Sequence, residues 1–377
     1  MHNKKILHIC NGFSYKIFYN LLFIKLANSG FSQLVFSPIR KYLKKVPFKT
    51  HIKIKIHYSE LINVFDRIFF LKKKAKLYKN IISSINLNNL KLSHAHTLFS
   101  DGVLALELKK TNKIKYIVTV RNTDIYVFFK YFFIYRKIGI EILEEAEKII
   151  FISPSYKNIL FNKYIPKNIH SRLKNKASVI TNGLDDYWLL NKAETHKKEK
   201  NVLNLIYVGD FTNNKNVKSI IEVVNKLNDE GHRIILNLVG GGGYNSKSTL
   251  KLIERSDKST IRFHGRVNEK KQLLKHYRNS DIFIMPSYHE TFGIVYLEAM
   301  SQGLPIIYSK NQGIDGCFDD SFPGISVDPK DLYNIKESII NIAKNIEFYS
   351  KNSLIQVDSF SWDIISKKFI KIYNKIN

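Results

Sequence analysis

Two glutamates stand eight residues apart in the segment PSYHETFGIVYLEAMSQGLP, residues 286–305. The segment follows an apolar run, turns, and opens a helical pattern, so Glu290 should precede a helix and Glu298 should lie about two turns inside it. The amides at a helix start lack partners within the helix and attract phosphate. Ionised carboxylates accept hydrogen bonds from sugar hydroxyls. The spacing therefore predicts a site for a ligand that carries both phosphate and sugar hydroxyls.

A plainer interpretation is that Glu290 caps the helix and Glu298 is solvated. For two glutamates at this spacing alone, we would prefer that interpretation. The surrounding string E-T-F-G-I-V-x-x-E-A-M-x-x-G-x-P, however, closely resembles the E-x7-E signature of the family-4 retaining glycosyltransferases, which include enzymes of bacterial surface polysaccharide and lipopolysaccharide synthesis. The resemblance implies that Glu290 lies by the donor sugar and that Glu298 binds the nucleotide ribose.

A second segment, YVGDFTNNKNV at 207–217, is similar to the family's stretch after the first strand of its second domain. The family lysine that contacts the donor diphosphate falls on Lys215. The family arginine is replaced by Asp210, which cannot stabilise phosphate itself. Either Lys215 and the helix terminus suffice, or Arg266 or Lys270 supplies the missing charge.

Two further segments resemble donor-side elements of the family, LVGGGG at 238–243 and FHGRVNE at 263–269. Four glycines after a strand permit close approach of backbone to a ligand. The resemblance therefore implies a donor-binding set made of Lys215, Gly241, Arg266, Glu290, Thr291, Phe292, Gly293, Ile294, Val295 and Glu298. Glu290, Lys215 and His96 form the predicted catalytic set.

Two segments of the first half, HAHTLFSDG at 94–102 and TVRNTDI at 119–125, are similar to family segments that end strands near the acceptor. On that match His96, Arg121 and Asp124 face the acceptor. A lone histidine at a strand end is more often structural, and the second motif in the correct order favours the functional interpretation. The glycine pair that the family carries after its first strand is reduced here to Asn11 and Gly12, and Gly12 joins the acceptor-side set.

Short apolar runs alternate with helical patterns along both halves of the chain, which predicts an α/β protein of two doubly wound parallel sheets. The predicted strands are 5–10, 51–57, 90–95, 114–120, 148–153, 177–181, 203–209, 234–240, 260–265, 281–286 and 305–309. Together with the motifs this predicts a GT-B fold, two Rossmann-like domains facing a central cleft. We expect an acceptor-binding domain at 1–190, a donor-binding domain at 191–360 and a final helix at 361–377 that packs back towards the first domain. The polar stretch 189–201 is the predicted boundary.

The net charge of +28 is uneven, with most of the excess before residue 191. Such asymmetry favours an anionic partner, either lipid or nucleic acid, although a lysine-rich composition alone explains it equally well. No apolar run reaches the ~18 residues that a membrane-spanning helix needs. Cys10 and Cys317 lack metal-ligand spacing and no D-x-D triplet occurs, so we expect neither a cofactor nor a metal requirement.

The sequence therefore predicts a metal-independent retaining glycosyltransferase that moves a hexose-type sugar from a nucleotide-diphosphate donor to a saccharide, in particular a lipid-linked one. We expect it in the cytoplasm, attached to the anionic inner face of the membrane through aromatic and basic segments at 126–138 and 67–79, with no nucleic-acid partner. Three alternatives stay open. They are a nucleotide-sugar epimerase of the same fold, a DNA-modifying sugar transferase, and a binding module without activity, to which Asp210 points.

Overall fold

The computed structural model describes residues 5–14, 16–40, 51–63, 66, 70–194, 202–244 and 246–376, and it divides into two units. The first unit comprises residues 1–183 with 362–377, and the second comprises residues 184–361. The sequence prediction placed the division at residue 190, and residues 195–201 of the predicted boundary lie outside the described part. Cys10 is buried and Cys317 is partly buried.

The first unit is built on seven parallel strands in the order β3-β2-β1-β4-β5-β6-β7. The strands are β1 (Lys5–Ile9), β2 (Ser32–Arg40), β3 (Ile54–Ile62), β4 (Leu92–Ala95), β5 (Lys115–Val120), β6 (Lys148–Phe151) and β7 (Ala177–Val179). The helices are α1 (Ile17–Asn28), α2 (Phe70–Ser84), α3 (Gly102–Asn112), α4 (Arg136–Glu145), α5 (Pro154–Lys163) and α6 (His170–Lys176). Strand order reverses between β1 and β4, so the loops after these two strands open a crevice at the carboxyl edge of the sheet.

The second unit is built on six parallel strands in the order β10-β9-β8-β11-β12-β13. The strands are β8 (Leu203–Gly209), β9 (Ile234–Gly240), β10 (Ile261–Gly265), β11 (Ile282–Met285), β12 (Ile306–Ser309) and β13 (Gly324–Val327). The helices are α7 (Asp186–Leu190), α8 (Val217–Asp229), α9 (Lys247–Arg255), α10 (Lys270–Arg278), α11 (Ile294–Ser301), α12 (Leu332–Lys344) and α13 (Ile346–Gln356). Here the order reverses between β8 and β11, which are neighbours.

The central strands are buried on both faces, which explains their continuous apolar runs. All four residues of β11 are buried. The edge strand β3 is only partly buried, as its alternating sequence predicted, and it begins at Ile54 rather than at residue 51. Two strands, β2 and β13, were not predicted.

The final helix α14 (Trp362–Ile376) lies in the first unit. Its buried residues Trp362, Ile365, Phe369 and Tyr373 join a core cluster with α1 and with the strands β1, β2, β4, β5 and β6. Gly183 lies against the Trp362 ring, where a Cβ atom would come within 2.5 Å of the indole. Among the described residues, no helix is both long and apolar enough to cross a bilayer.

Candidate functional site

Lys215 and Glu290 form the centre of the candidate site in the second unit. Lys215 ends a 3₁₀ turn (Asn213–Lys215) that follows β8, and Glu290 follows the neighbouring strand β11. The Lys215 Nζ lies 2.5 Å from the Glu290 Oε2, and both side chains are largely buried. The structure therefore brings together the two residues that the sequence predicted as catalytic in this half of the chain.

The two loops that carry this pair are joined by hydrogen bonds. The Asn214 side-chain amide donates to the His289 carbonyl at 2.7 Å, and the Tyr288 amide donates to the Asn214 carbonyl at 2.8 Å. Asn216 has a left-handed backbone conformation and donates to the Pro286 carbonyl at 3.2 Å. Because backbone and side chain both contribute, the distance between the loops is set independently of the Lys215–Glu290 pair.

The helix α11 begins beside Glu290. Its N-cap Gly293 has φ of 83°, and a Cβ atom there would come within 2.3 Å of the Tyr296 ring, so only glycine fits. The Glu290 Oε1 accepts a hydrogen bond from the Thr291 amide at 3.0 Å. The predicted donor residues Thr291, Phe292, Gly293, Ile294 and Val295 thus form the approach and the first turn of one helix, where the helix dipole favours an anion.

Glu298 lies on α11 and is partly buried. Its Oε2 accepts a hydrogen bond from the Tyr277 hydroxyl at 3.1 Å. Burial raises the pKa of Glu298 to about 7, while the Tyr277 hydrogen bond and the charge of Lys270 act in the opposite direction. Lys270 itself is paired with Asp185 at 2.6 Å. Glu298 can therefore change its ionisation near neutral pH when hydroxyl donors approach it.

Asp210, which replaces the family arginine, has a cationic partner of its own. The Arg266 guanidinium lies 2.7 Å from the Asp210 carboxylate and donates to the Gly241 carbonyl at 2.8 Å. Both side chains of this ion pair are more than half exposed, and exposed ion pairs contribute little to stability. Arg266 and Lys270, the two candidates for the missing charge, are thus both engaged with carboxylates.

The predicted acceptor-side residues lie together in the first unit, at the carboxyl edge of β1, β4 and β5. His96 is buried, and its Nε2 lies 3.0 Å from the His8 Nδ1. The small cavity that His96 and Arg121 line has a volume of about 10 Å³, which holds one water molecule at most. His96 is thus closely enclosed by its neighbours within this unit, and its predicted catalytic role stays a prediction.

Asp124 organises the loop around Arg121. Its carboxylate accepts hydrogen bonds from the amides of Leu98 at 3.0 Å, Phe99 at 3.2 Å and Arg121 at 2.9 Å. Burial raises the pKa of Asp124 to about 6, although the three amide donors act in the opposite direction. Asp124 thus fixes the backbone at the ends of β4 and β5.

Arg121 is a nearly buried cation, and only 7% of its surface is exposed. Its Nε donates to the His96 carbonyl at 2.8 Å, and its guanidinium carbon lies 5.3 Å and 5.1 Å from the ring centroids of Phe18 and Tyr19. Gly12 lies nearby in the loop after β1, where a Cβ atom would approach the Tyr19 ring to 2.9 Å.

Sequence reasoning missed a cluster of three histidines. His8, His94 and His96 each offer a nitrogen within 4.8 Å of the others, which makes them a possible metal-ligand set. Burial lowers the pKa of His8 to about 3, and burial together with the charge of Arg121 and its histidine neighbours lowers the pKa of His94 and His96 well below the usual value.

The neutral imidazoles suit a metal, but their surroundings do not. Arg121 projects positive charge onto His94 and His96. Both ring nitrogens of His94 already have partners, the Tyr373 hydroxyl at 2.6 Å and the Thr119 hydroxyl at 2.8 Å. The expectation that no metal is required stays a prediction. The signal for the cluster was the alternation His94-Ala95-His96 beside an apolar strand that contains His8.

Comparison with known protein families places this geometry in context. Residues 189–353 match the model of the family "Glycosyl transferases group 1". The chain is 25% identical over 330 residues to an uncharacterized glycosyltransferase of Methanocaldococcus jannaschii, a match that covers 85% of each protein. It is 22% identical over 244 residues to the N,N'-diacetylbacillosaminyl-diphospho-undecaprenol alpha-1,3-N-acetylgalactosaminyltransferase of Campylobacter jejuni, a match that covers 61% of each protein.

Two solved structures resemble the whole chain. Sucrose-phosphate synthase from Thermosynechococcus elongatus superposes with a TM-score of 0.76 at 18% identity and covers 99% of both chains. The Anabaena protein HepE in complex with UDP and glucose superposes with a TM-score of 0.68 at 15% identity, covering 98% of this chain and 99% of its own. These neighbours confirm the predicted GT-B fold. The family match and the relatives support a glycosyltransferase.

Proposed function

We propose that this chain is a retaining glycosyltransferase that transfers a hexose-type sugar from a nucleoside-diphosphate donor to a lipid-linked saccharide. The observation that carries the proposal is the Lys215–Glu290 pair, held at 2.5 Å beside the start of the helix that also bears Glu298. A cation and a helix N-terminus stabilise a departing diphosphate, and the two carboxylates bind hydroxyl groups. The UDP and glucose bound by the Anabaena neighbour agree with this donor chemistry.

In the proposed mechanism the chain supplies charge stabilisation. Lys215 and the first amides of α11 meet the negative charge that develops on the leaving diphosphate, and they need no reorganisation because both loops are already joined. Glu290 orients the donor sugar, and Glu298 holds the ribose. The expected absence of a metal requirement belongs to this proposal, since a lysine and a helix terminus can take the part that a divalent cation plays elsewhere.

A donor-hydrolysis screen tests the function. The full chain should slowly hydrolyse one class among UDP-, GDP- and ADP-sugars in the presence of a chelator, and the released sugar should keep its anomeric configuration. A released hexose with a new configuration at another carbon would instead indicate an epimerase. Failure to bind or hydrolyse a donor of any class would overturn the proposal.

Glu298→Ala should weaken nucleotide binding, measured by calorimetric titration, because it removes the acceptor for the ribose hydroxyls. In the wild type the affinity should rise as the pH increases through about 7, because the ionised carboxylate accepts two hydrogen bonds where the acid accepts fewer. The affinity of Glu298→Gln should not rise with pH in this way. The nucleotide itself also titrates, and because its contribution is the same for both proteins, the difference between the wild type and Glu298→Gln reports Glu298 alone. Unchanged affinity in a folded Glu298→Ala variant would contradict the ribose assignment.

The acceptor side has a surface that suits a lipid-linked substrate. Tyr131, Phe133 and Ile134, in the turn before α4, are 63%, 68% and 68% exposed. We call these three residues the apolar turn. Neighbouring Phe128, Phe132 and Tyr135 line a cavity of about 670 Å³ in the same unit. Exposed aromatic and aliphatic groups favour the headgroup boundary of a bilayer, which supports attachment to a membrane surface, and we propose that this is the cytoplasmic face. Residues 67–69 of the second predicted membrane segment lie outside the described residues.

The chain should co-sediment with anionic vesicles at low salt and be released as ionic strength rises, whereas neutral vesicles should bind it poorly. Replacing all three residues of the apolar turn by serine should lower the bound fraction of protein on anionic vesicles severalfold, because the apolar contacts with the bilayer are lost. Phe348→Ser, which removes an exposed aromatic ring of the second unit, is the matched control. Equal recovery of the wild type in the supernatant with both kinds of vesicle would contradict membrane attachment.

A further inference from the structure

A cavity of about 670 Å³ lies in the first unit, at the carboxyl edge of its sheet. A volume of this size is typical of sites that enclose a small organic ligand. Part of its lining is polar and comes from Asn11, Ser100 and Thr123, which follow β1, β4 and β5. The ends of these strands carry the predicted acceptor-side residues, none of which lines the cavity. The cavity is therefore a further place where part of an acceptor can bind.

One wall of the cavity consists of four aromatic rings, each of which contacts two others. Phe70 lies against Phe128 and Tyr135, at centroid distances of 6.0 Å and 4.9 Å. Phe132 lies against the same two rings, at 5.8 Å and 6.3 Å. Phe128 belongs to a π-helical segment, Asp124–Phe129, a rare conformation that occurs frequently at functional sites. An apolar chain that covers this wall removes its apolar surface from water, which is favourable.

Two cations line the same cavity, Arg40 at the end of β2 and Lys73 in α2. Both side chains are half-buried, and within the part of the chain that the structure describes neither has an ion-pair partner or a hydrogen-bond acceptor. The carboxylate of Asp66, which also lines the cavity, accepts a hydrogen bond from the Asn63 amide at 2.7 Å and lies 3.8 Å from the Lys76 Nζ. The cavity thus offers two unpaired cations beside an apolar wall, and an anion would complete them.

The charges that act on Lys73 agree with an anionic ligand. Burial lowers the pKa of Lys73, the carboxylates of Asp101 and Asp66 oppose that change, and the charge of Arg40 reinforces it. Asp101 does not line the cavity, and burial raises its pKa to about 7. A carboxyl group with that pKa carries only part of a negative charge at neutral pH, so it does not neutralise the two cations.

We propose that this cavity binds the apolar chain and the phosphoryl group through which the acceptor saccharide is linked to its lipid. The chain lies against the four rings, and the phosphoryl oxygens accept hydrogen bonds from Arg40 and Lys73. Phe132 and Tyr135 alternate in sequence with the residues of the apolar turn, so a chain that leaves the bilayer at that turn meets the wall next. The inference rests on the proposed function only in calling the ligand the acceptor, while the site for a phosphorylated apolar chain rests on the cavity itself.

Geranyl phosphate, geraniol and inorganic phosphate separate the two parts of this ligand. In calorimetric titration of the full chain at neutral pH, geranyl phosphate should bind at least about tenfold more tightly than either geraniol or inorganic phosphate, because it alone uses both the rings and the cations. Arg40→Gln and Lys73→Gln should each weaken geranyl phosphate binding at least about fivefold and leave geraniol binding within about twofold. Phe132→Ser, which removes a ring that is 43% exposed, should weaken the binding of both.

The matched control is Lys79→Gln, which removes an exposed charge of the same helix α2 outside the cavity and should bind geranyl phosphate like the wild type. Equal affinity for geranyl phosphate in the wild type and in the cation variants would overturn the phosphoryl assignment, and equal affinity in Phe132→Ser would overturn the assignment of the chain. Thermal unfolding identifies any variant that does not fold, and either cation variant is sufficient for the test.

UDP distinguishes this site from the donor site. Saturating UDP should change the affinity for geranyl phosphate by less than about twofold, and direct competition would assign the cavity to the donor and overturn the inference. None of these measurements depends on turnover. Donor hydrolysis without geranyl phosphate binding would contradict this inference alone, whereas geranyl phosphate binding without donor binding or hydrolysis would contradict the proposed function alone.

Discussion

Lys215→Ala is expected to lower kcat/KM by about 30-fold or more, which corresponds to a loss of at least ~2 kcal/mol of transition-state stabilisation. The ammonium group of Lys215 is largely buried and lies next to a helix start, so its charge is poorly screened. Removal of the Lys215 ammonium group should destabilise the negative charge that develops on the departing diphosphate more than it destabilises the bound substrate. The loss should therefore appear chiefly in kcat, measured with the donor that the hydrolysis screen identifies.

The matched control is Lys218→Ala, which removes an exposed lysine in the first turn of α8. It changes the net charge equally and should leave kcat within about twofold, since surface charges are screened. A loss smaller than about threefold in Lys215→Ala, which is ~0.6 kcal/mol, would mean that Lys215 does not stabilise the leaving group. Because Arg266 and Lys270 are each paired with a carboxylate, we expect neither of them to rescue the variant.

The fold class was predictable because each half of the chain repeats apolar runs that alternate with amphipathic helices. The two missed strands show the limit of that signal. Within β2, Ser37 and Pro38 interrupt the apolar pattern, and the strand is buried because β1 and β3 flank it. The strand β13 has only four residues, and its pairing with β12 places Gly324 against Ile306, where a Cβ atom would meet backbone. Both depend on partners distant in sequence.

The residues of the candidate site were predictable where they belong to a recognisable sequence motif. Lys215 and Glu290 are 75 positions apart, and only the resemblance to a family placed both in one site. The histidine cluster was missed because His8 and His94 are brought together only by the pairing of β1 with β4, and its one local signal is the alternation of His94 and His96.

The partnership of Glu290 with Lys215 leads to the last prediction. Glu290→Gln should lower kcat by about 100-fold, because a carboxylate that orients the reacting sugar is replaced by an amide with different hydrogen-bonding capacity. Nucleotide affinity should change less than about threefold, since Glu298, on the helix itself, is the predicted ribose ligand. Glu269→Gln, which alters an exposed glutamate just before α10, is the control and should behave like the wild type.

A double-mutant cycle separates a shared role from two independent ones. Because the Lys215 Nζ and the Glu290 Oε2 are 2.5 Å apart, each single change also leaves its partner without an opposite charge in a largely buried position. The double variant Lys215→Ala/Glu290→Gln should therefore lose about as much kcat as the worse single variant. Losses that multiply would show that the two side chains act independently, and an unchanged kcat in Glu290→Gln would remove Glu290 from the reaction. Thermal unfolding of all three variants checks that the loops joined by Asn214 and Asn216 still hold the remaining side chain in place.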